Sequence, residues 1–356
     1  MACLMRGCPW PASSRPSNSN GAKVPCVSMA AERLLLVHAI LAPFVPARRF
    51  GGSFSRLRLR RRLRSRSLTG PLQGPSVGKK TRGRLNASVG GWMDQLPDED
   101  VLRQLISEQF AQWSSLPISK VLPGGWDNVT FRLGGHMLAK LPRSQAYSFQ
   151  AEREHFALQA HLGRIGAFEV PQPVALGKPS TVFPYPWSIL RWIEGEPVLD
   201  VSKPHDLPRA LAEFLLALHC PAPSEAPEPG SANFWRGGPL SSLTADFERA
   251  LATLPAHFDR EQLRAIWHGA LATTAAGAPV WVHGDIAPTN LITRGGRLVG
   301  VIDFGLIAAG DPACDLAIAW LAFDGDSRES FLTRYGAEDL GDEMDPKLGV
   351  IYPTQL

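Results

Sequence analysis

Residues 280–305 read VWVHGDIAPTNLITRGGRLVGVIDFG, and the rest of the chain is best interpreted from this stretch. Its two apolar runs, VWV at 280–282 and VGVID at 299–303, are rich in β-branched residues and predict strands. Between them lies a polar loop, followed by a short LIT segment that Gly295-Gly296 closes, which predicts a hairpin. The polar side chains therefore fall where strands end.

Three of these polar residues have the spacing of a phosphoryl-transfer site. Asp285 and Asn290 share the loop, and Asp303 directly precedes Phe304-Gly305. Phosphoryl transfer needs a carboxylate that orients and deprotonates the attacking hydroxyl, and it needs hard oxygen ligands for Mg²⁺ beside the triphosphate. We therefore predict that Asp285 is the catalytic base and that Asn290 and Asp303 bind Mg²⁺.

The same residues resemble the pattern of protein kinases, H-R-D-x-x-x-x-N followed by D-F-G. This chain has HGD at 283–285, Asn290, and DFG at 303–305. Glycine in place of arginine, and the run GDPACDLA at 310–317, resemble the aminoglycoside phosphotransferase family of small-molecule kinases. The resemblance extends over about 124–335. It implies a two-lobed α+β fold of the protein-kinase type, with a small sheet-containing N-lobe and a mainly helical C-lobe.

Lys140 and Glu154 are predicted to form the pair that positions the phosphates. Lys140 belongs to the strand-like run HMLAKL at 136–141, and a helix predicted over 148–165 carries Glu152 and Glu154. A strand lysine paired with a helix glutamate holds the α- and β-phosphates in kinases. The family resemblance selects Glu154 of the two acids. The alternative is that Lys140 is an edge-strand charge and Glu154 a solvated helix residue.

Two further segments are predicted to contact ATP. Gly124-Gly125 forms a turn before the first of the paired strands, and a glycine backbone can approach a phosphate closely. A strand predicted within 183–198 leads to the place where the resemblance implies that the chain passes between the lobes. The backbone groups expected to meet the adenine edge there belong to Arg191, Trp192, Ile193 and Glu194.

Two residues are expected to support the catalytic loop. The resemblance implies that Asp315, the second acid of GDPACDLA, braces this loop, whereas a helix-surface aspartate is the alternative. His283 is expected to support the loop rather than donate protons. Asp311-Pro312 predicts a helix start, with Asp311 as the N-cap and Pro312 at the first helical position.

Charge is distributed unevenly along the chain. Before Met93 there are 17 Lys and Arg residues and a single acid, Glu32, whereas from Met93 onward there are 20 basic and 32 acidic residues. No basic stripe therefore remains in the folding part, and nucleic acid is not an expected partner. A membrane span is not expected either, because the apolar run at 34–46 is too short to cross a bilayer.

This composition predicts three regions. Residues 1–92 are expected to be a disordered basic extension, read either as an organellar transit segment or, with slight preference, as translated upstream sequence before a start at Met93. Residues 93–193 are expected to form the nucleotide-binding N-lobe, and 194–356 the catalytic and acceptor-binding C-lobe. Three of the five cysteines lie in the extension, which excludes a disulfide framework. We predict a cytoplasmic protein, with organellar import if the extension is native.

Only the distribution of charged residues indicates which class of acceptor the protein uses. From Pro197 to Leu356 there are 21 acidic and 11 basic residues, and the acids cluster at 324–329 and 338–345. Carboxylates around a cleft attract cations such as aminoglycosides, but a macrolide, a sugar or another neutral acceptor is an equal alternative. The acidic, proline-containing end replaces the helices that the family normally has, so we expect a shortened or altered C-lobe. A catalytically inactive nucleotide-binding protein is the alternative from another class, and the sequence does not indicate an oligomeric state.

Overall fold

The computed structural model describes most of the chain from Leu96 to Gly336. The described ranges are 96–122, 124–160, 162–163, 165–254, 258–272 and 277–336. The basic extension over 1–92 and the acidic segment after residue 336 lie outside these residues, so the predictions made for them stay predictions. Within the described ranges, none of the helices is both long enough and apolar enough to cross a membrane.

The first half of the fold is an antiparallel sheet covered by a helix. Its strands, in the spatial order β1-β2-β3-β5-β4, are β1 (Ile118–Lys120), β2 (Asn128–Leu133), β3 (Met137–Pro142), β4 (Pro173–Gly177) and β5 (Trp187–Arg191). The β2–β3 hairpin predicted around Gly134-Gly135 is present. Helix α1 (Glu99–Gln109) begins at Asp98, whose carboxylate accepts the N–H groups of Asp100 and Val101. Alternating residues of β2 and β5 pack against the buried side of α1 and form one hydrophobic core.

Helix α2 (Gln150–Ala160) follows β3 and connects this sheet to the helical part. The predicted helix over 148–165 is therefore correct in position but too long. Ala157 and Leu158 of α2 are fully buried in the second hydrophobic core, which the helical part supplies. Glu154, earlier on the same helix, is also buried and points toward Lys140 on β3. Helix α2 therefore contributes Glu154 to the predicted ion pair and contacts both halves of the fold.

The second half of the fold is mainly helical. Its helices are α3 (Leu207–Leu218), α4 (Thr244–Thr253), α5 (Arg260–Leu271), α6 (Ala313–Leu316), α7 (Ile318–Leu321) and α8 (Gly325–Tyr335). Buried aromatic side chains fill the space between them, including Phe247 and Trp267, whose rings stack with centroids 4.4 Å apart. The single helix predicted after Asp311-Pro312 is instead two short ones, α6 and α7. Pro312 is the N-cap of α6, and the Asp311 carboxylate still accepts the N–H of Ala313 at 2.9 Å.

The central stretch forms two small sheets. Strands β6 (Glu196–Pro197), β8 (Leu291–Arg294) and β9 (Arg297–Val301) form one sheet, and β7 (Val280–Val282) pairs with β10 (Ala308–Gly310). The predicted hairpin joins β8 to β9 through Gly295 and Gly296, whose φ angles of 58° and 74° suit the twist of a two-residue turn. Strand β9 ends at Val301, so Asp303 lies beyond it, contrary to the predicted strand over 299–303.

Candidate active site

Lys140 lies between two carboxylates from different parts of the fold. Its Nζ is 3.0 Å from Glu154 Oε2 and 2.7 Å from Asp303 Oδ1. Glu154 is 1 % exposed, whereas Glu152 points to solvent, so the choice of Glu154 from the sequence agrees with the contact that the structure contains. Glu154 Oε1 also accepts the N–H of Phe304 at 3.0 Å. Helix α2 is thereby connected to the segment that carries Asp303.

The three charges stabilise one another. Burial lowers the pKa of Lys140, but the nearby Asp303 and Glu154 carboxylates raise that pKa above its ordinary value. Burial raises the pKa of Asp303, and the Lys140 ammonium more than offsets this, so that the pKa lies below its ordinary value. Lys140 and Asp303 are therefore both charged at neutral pH, which suits a group that binds phosphate and a group that binds a cation.

Asp285 and Asn290 are held together in the catalytic loop. Asn290 Nδ2 donates to the backbone oxygen of Asp285 at 2.9 Å and to Asp285 Oδ2 at 3.3 Å. The N–H of Ile302 donates to the backbone oxygen of Asn290 at 2.9 Å, which connects the loop to the end of β9. Burial and then the Asp303 charge raise the pKa of Asp285, whereas Arg236, His283 and Asn290 lower it. The sequence-predicted base and metal ligands therefore lie in one electrostatic neighbourhood.

His283 uses both ring nitrogens within the loop. The side chain is fully buried, its Nε2 is 3.1 Å from the backbone oxygen of Ile302, and its Nδ1 accepts the N–H of Asp285 at 3.2 Å. Both ring nitrogens therefore have partners within the loop and its neighbouring strand end. The Phe304 ring packs against the imidazole with centroids 4.6 Å apart. The contacts support the predicted role of His283 as a part of the loop framework.

Asp315 connects the catalytic loop to the helical core. Its carboxylate accepts the N–H groups of His283 and Gly284 at 2.7 and 2.8 Å, and it lies 3.2 Å from His219 Nε2. His219 Nδ1 is 2.7 Å from the hydroxyl of Tyr335 on α8. Burial raises the pKa of Asp315, but hydrogen bonds from His219 and the loop N–H groups bring it below its ordinary value. The exposed helix-surface alternative for Asp315 is therefore wrong, because this side chain is 1 % exposed.

The residues present fit Mg²⁺. Asn290 uses its Nδ2 toward Asp285, which leaves its side-chain oxygen, and Asp303 contributes a carboxylate, so both predicted ligands are hard oxygens. Asp303 has a φ of 69°, a left-handed conformation that aspartate tolerates better than most residues. Within the described residues, no group of three or more His, Cys, Asp or Glu side chains is placed to hold a metal. Phosphate oxygens and water would therefore complete the coordination, as is usual for Mg²⁺.

The structure adds Asp127 and Gln150 to the site, and neither was predicted. Gln150 Nε2 donates to Asp127 Oδ2 at 2.6 Å, and its Oε1 accepts from Asn128 Nδ2 at 2.9 Å. A Cβ placed on Gly305 would lie 2.9 Å from the Gln150 side chain, so Gln150 lies between the glycine turn and the DFG segment. Burial, opposed by the Gln150 hydrogen bond and assisted by Asp303 and Asp285, raises the pKa of Asp127 to about 6. The signal in the sequence was an Asp-Asn pair separated from the Gly-Gly turn by a single residue, Trp126.

Asp127→Asn should stabilise the protein at alkaline pH. Because its pKa in the folded protein is about 6, above the ordinary 3.8, Asp127 contributes stability below pH 3.8 that is lost as the pH rises through 6. The variant should therefore have a higher thermal midpoint than the unaltered chain at pH 8, with the difference shrinking toward pH 4. Thermal unfolding measured across this pH range checks it, with exposed Asp100→Asn as the control. A difference in thermal midpoint that is the same at every pH would contradict the raised pKa of the buried Asp127 carboxyl.

Some of the other groups predicted to contact the nucleotide already have hydrogen-bond or ion-pair partners within the protein. The N–H groups of Arg191 and Trp192 donate to the backbone oxygens of Gln172 and His136, at 2.8 and 2.9 Å. Glu194 is exposed and forms an ion pair with Arg132 at 2.8 Å. Of the predicted segment, the backbone of Ile193 and the carbonyl of Trp192 are thus the groups we retain as candidates for the adenine edge. Gly124 and Gly125 are exposed and neither has a positive φ, so their backbone conformation does not itself require glycine.

Comparisons with known proteins identify the family and the fold. A model of the phosphotransferase enzyme family matches residues 119–348. A search of the curated proteins finds no match. Among solved structures, the GDP complex of a point mutant of aminoglycoside 2'-phosphotransferase IIIa is 23 % identical, with a TM-score of 0.53 over 68 % of this chain and 83 % of that chain. The GDP and kanamycin complex of APH(2″)-IIIa is 22 % identical, with a TM-score of 0.51 over 67 % and 84 %.

These findings confirm what the sequence predicted about fold and class. The solved structures, at such low identity, show the fold, and they confirm the two-lobed α+β architecture of the protein-kinase type. The family match confirms the predicted resemblance and the class of enzyme, a small-molecule phosphotransferase. Because the family model covers more than half of the sequence, this chain belongs to the phosphotransferase enzyme family.

Proposed function

We propose that this protein transfers the γ-phosphoryl group of ATP to a hydroxyl group of a small molecule, with an aminoglycoside-like acceptor favoured. The observation that carries the proposal is the ion pairing of Lys140 with both Glu154 and Asp303, at 3.0 and 2.7 Å. This arrangement joins a phosphate-binding cation to a metal-binding carboxylate, and Asp285 lies close enough for Asp303 to raise its pKa. Kinases use these same parts to position phosphates, metal and nucleophile.

Asp285 orients the acceptor hydroxyl and accepts its proton. Because an alcohol is a much weaker acid than a carboxylic acid, the proton moves late, and the main effect of Asp285 is to align the attacking oxygen. The hydrogen bonds from Asn290 to Asp285 hold the carboxylate in place. His283 and Asp315 stabilise the loop beneath it through the contacts described above.

Lys140 binds the phosphates of the nucleotide, and Glu154 keeps Lys140 in place. The turn at Gly124-Gly125 covers the phosphates, and Ile193 and its neighbours meet the adenine edge. Asn290 and Asp303 would hold Mg²⁺, which when bound neutralises charge on the phosphate oxygens.

The preference for a cationic acceptor comes from charge alone. The acids that cluster at 324–329 and 338–345 follow helices α6 and α7 in the sequence. A cluster of carboxylates raises the local concentration of a cation, and salt weakens the effect. APH(2″)-IIIa, with which this chain shares its fold, is described in complex with kanamycin. A macrolide or a sugar-type acceptor remains the alternative within the enzyme class.

The test is nucleotide turnover by the full chain against a panel of acceptors. ADP release is measured with ATP, and GDP release with GTP, in the presence of kanamycin, a macrolide or a neutral sugar alcohol. We expect acceptor-dependent ADP release that Asp303→Asn abolishes and that Glu152→Gln, an exposed change on the same helix as Glu154, leaves intact. Thermal stabilisation by ATP and Mg²⁺ without turnover of any acceptor would instead favour an inactive nucleotide-binding protein.

Salt decides between the acceptor classes. If an acidic surface attracts the acceptor, the KM for kanamycin should rise steeply between low and high ionic strength, because the Debye length falls from about 30 Å at 0.01 M to about 10 Å at 0.1 M. The KM of the neutral sugar alcohol should not change. Efficient turnover of the neutral alcohol, with no phosphorylation of kanamycin or a KM for kanamycin that ignores salt, would reject the cationic acceptor.

A further inference from the structure

A loop outside the kinase-like motifs packs beside the catalytic loop. It comprises residues 230–238, GSANFWRGG, and is called loop 230–238 below. Asn233 is fully buried in it and accepts the N–H of Gly230 at 2.8 Å. Asn233 Nδ2 donates to the backbone oxygens of Arg236 and Leu306, at 2.9 and 3.3 Å. One buried amide therefore fixes the loop internally and also fixes it to the segment that follows Asp303.

A second contact places the loop directly against the catalytic residues. The N–H of Asp311 donates to the backbone oxygen of Gly237 at 2.8 Å. A Cβ placed on Gly310 would lie only 2.5 Å from that same oxygen, so the two backbones are in close contact. A Cβ placed on Gly284 would lie 3.2 Å from Arg236 Cβ. The Arg236 side chain therefore begins beside the residue that precedes Asp285.

The backbone of loop 230–238 is strained just before Arg236. Phe234 and Trp235 have φ angles of 55° and 59°, in the left-handed region. For residues with a Cβ, this conformation is unfavourable because the Cβ comes too close to the following carbonyl oxygen. Strain of this kind persists where surrounding contacts over-determine the backbone, and it is concentrated at functional sites. Here the Asn233 and Gly237 contacts hold the strained residues, and the consequence is a defined position for Arg236.

Arg236 is a cation close to Asp285, whereas Lys140 pairs with Asp303 and Glu154. Burial does most to raise the pKa of Asp285, and Arg236 is the strongest of the groups that lower it. The pKa of Asp303, which burial also raises, is lowered by Lys140 and His283. Within the described part of the chain, the half-buried Arg236 side chain has no carboxylate within the 4.0 Å of an ion pair. Its charge is therefore available to a ligand.

The geometry of phosphoryl transfer separates the roles of the two cations. In an in-line displacement, the attacking and leaving oxygens lie on opposite sides of the phosphorus. If the nucleotide phosphates lie at Lys140 and Asp303, the acceptor lies at Asp285, and Arg236 begins beside the residue that precedes Asp285. Two aromatic residues precede Arg236 in its loop: the rings of Phe234 and Tyr147 have centroids 6.4 Å apart, and Trp235 is 37 % exposed. Aromatic ring faces beside the N–H donors of one guanidinium group suit an acceptor ring that carries many oxygen atoms.

We propose that Arg236 hydrogen-bonds the acceptor beside the hydroxyl that Asp285 orients, so that this subsite selects a hydroxyl or carboxylate over an ammonium group at that position. The inference rests on the proposed phosphotransferase function and deepens it. A guanidinium group presents parallel N–H donors that match two oxygens, and it repels a neighbouring ammonium. Cationic groups of an acceptor would thus lie away from the reacting hydroxyl.

Three hexoses that share one ring test the subsite: glucose, glucosamine and glucuronate. We measure kcat and KM for phosphorylation, and also the thermal shift that each hexose causes with a non-hydrolysable ATP analogue and Mg²⁺. For the full chain we expect glucose and glucuronate to exceed glucosamine in both measurements. Arg236→Gln should raise the KM for glucose and glucuronate about tenfold to a hundredfold, the effect of one charge-assisted hydrogen bond, and should remove the discrimination against glucosamine. Arg236→Lys should fall between them, and exposed Arg249→Gln should match the full chain.

The two measurements distinguish this inference from the proposed function. If acceptors are phosphorylated and their kinetic constants are the same in Arg236→Gln as in the full chain, the phosphotransferase function stands and the role of Arg236 is overturned. Absence of turnover of the hexoses and of every other acceptor of the panel, kanamycin included, with thermal shifts that favour glucuronate over glucosamine only when Arg236 is present, would overturn the proposed function and preserve the subsite. Thermal shifts and rates that favour glucosamine in the full chain would overturn the subsite, and so would the absence of any hexose-dependent shift or rate.

Discussion

Asp285→Asn is expected to lower kcat about a hundredfold to ten-thousandfold, the usual contribution of a positioned general base. Asparagine keeps the size of the side chain and can still bond to Asn290, but it cannot accept the proton of the acceptor. The phosphates and the metal ligands are untouched, so the KM for ATP should change little. The measurement is ADP release with the best acceptor of the panel, and exposed Asp100→Asn is the control. A kcat within about threefold of the unaltered chain would remove Asp285 from the chemistry.

The same variant should be at least as stable as the unaltered chain. Burial and the Asp303 charge raise the pKa of Asp285, so the ionised carboxylate is disfavoured in the folded protein. A group with a raised pKa contributes stability at low pH and loses that contribution as the pH rises through its folded value. At neutral pH, removal of the charge therefore relieves repulsion. Urea unfolding at neutral pH should show an equal or higher midpoint, and a lower midpoint would mean that Asp285 serves the fold instead of the reaction.

Lys140→Met is expected to destabilise the protein by about 3–5 kcal/mol, the cost of removing one partner of a buried ion pair. Glu154, at 1 % exposure, would lose its counter-charge and keep only the N–H of Phe304. Turnover should also disappear, because the phosphates lose their cation. The change in unfolding free energy is measured by urea titration, with Lys203→Met as a control on an exposed lysine.

A second substitution separates the two effects. Glu154→Gln added to Lys140→Met removes the uncompensated charge, so the double variant should recover part of the lost unfolding free energy but none of the turnover. Such recovery is the sign of direct coupling between neighbours in a double-mutant cycle. If Lys140→Met unfolds at the urea concentration of the unaltered chain, the buried pair described here does not exist in solution.

Local patterns in the sequence predicted the elements that depend on near neighbours. The hairpin around Gly295-Gly296 was predictable because a two-residue turn needs positive φ angles that glycine adopts without strain. The β2–β3 pair was predictable from alternating apolar residues on either side of Gly134-Gly135. Element ends were less predictable. Strand β9 ends at Val301 and the helix after Pro312 divides in two, because the contacts made there, not the periodicity, set where each element stops.

The sequence predicted those residues of the candidate site that belong to recognisable motifs. The resemblance placed Asp285, Asn290 and Asp303 in one site, and it selected Glu154 over Glu152 as the partner of Lys140. Neither Asp127 nor Arg236 was predicted, because each reaches the site from an irregular loop. Their approach depends on buried amides, Gln150 for Asp127 and Asn233 for the loop of Arg236. No periodicity marks a residue whose position depends on such distant hydrogen bonds.

By itself, the sequence determined the family, the two-lobed fold and the residue types that phosphoryl transfer requires, because these follow from motif spacing and local chemistry. Only the tertiary structure decided which charges meet. Lys140 and Asp303 are separated by 163 residues, yet their side chains are 2.7 Å apart. The tertiary structure also decided that Asp285 lies near both Asp303 and Arg236. Local sequence cannot specify such contacts, since they arise when the buried faces of the sheet, helix α2 and the helical core pack together and bring distant loops into one cleft.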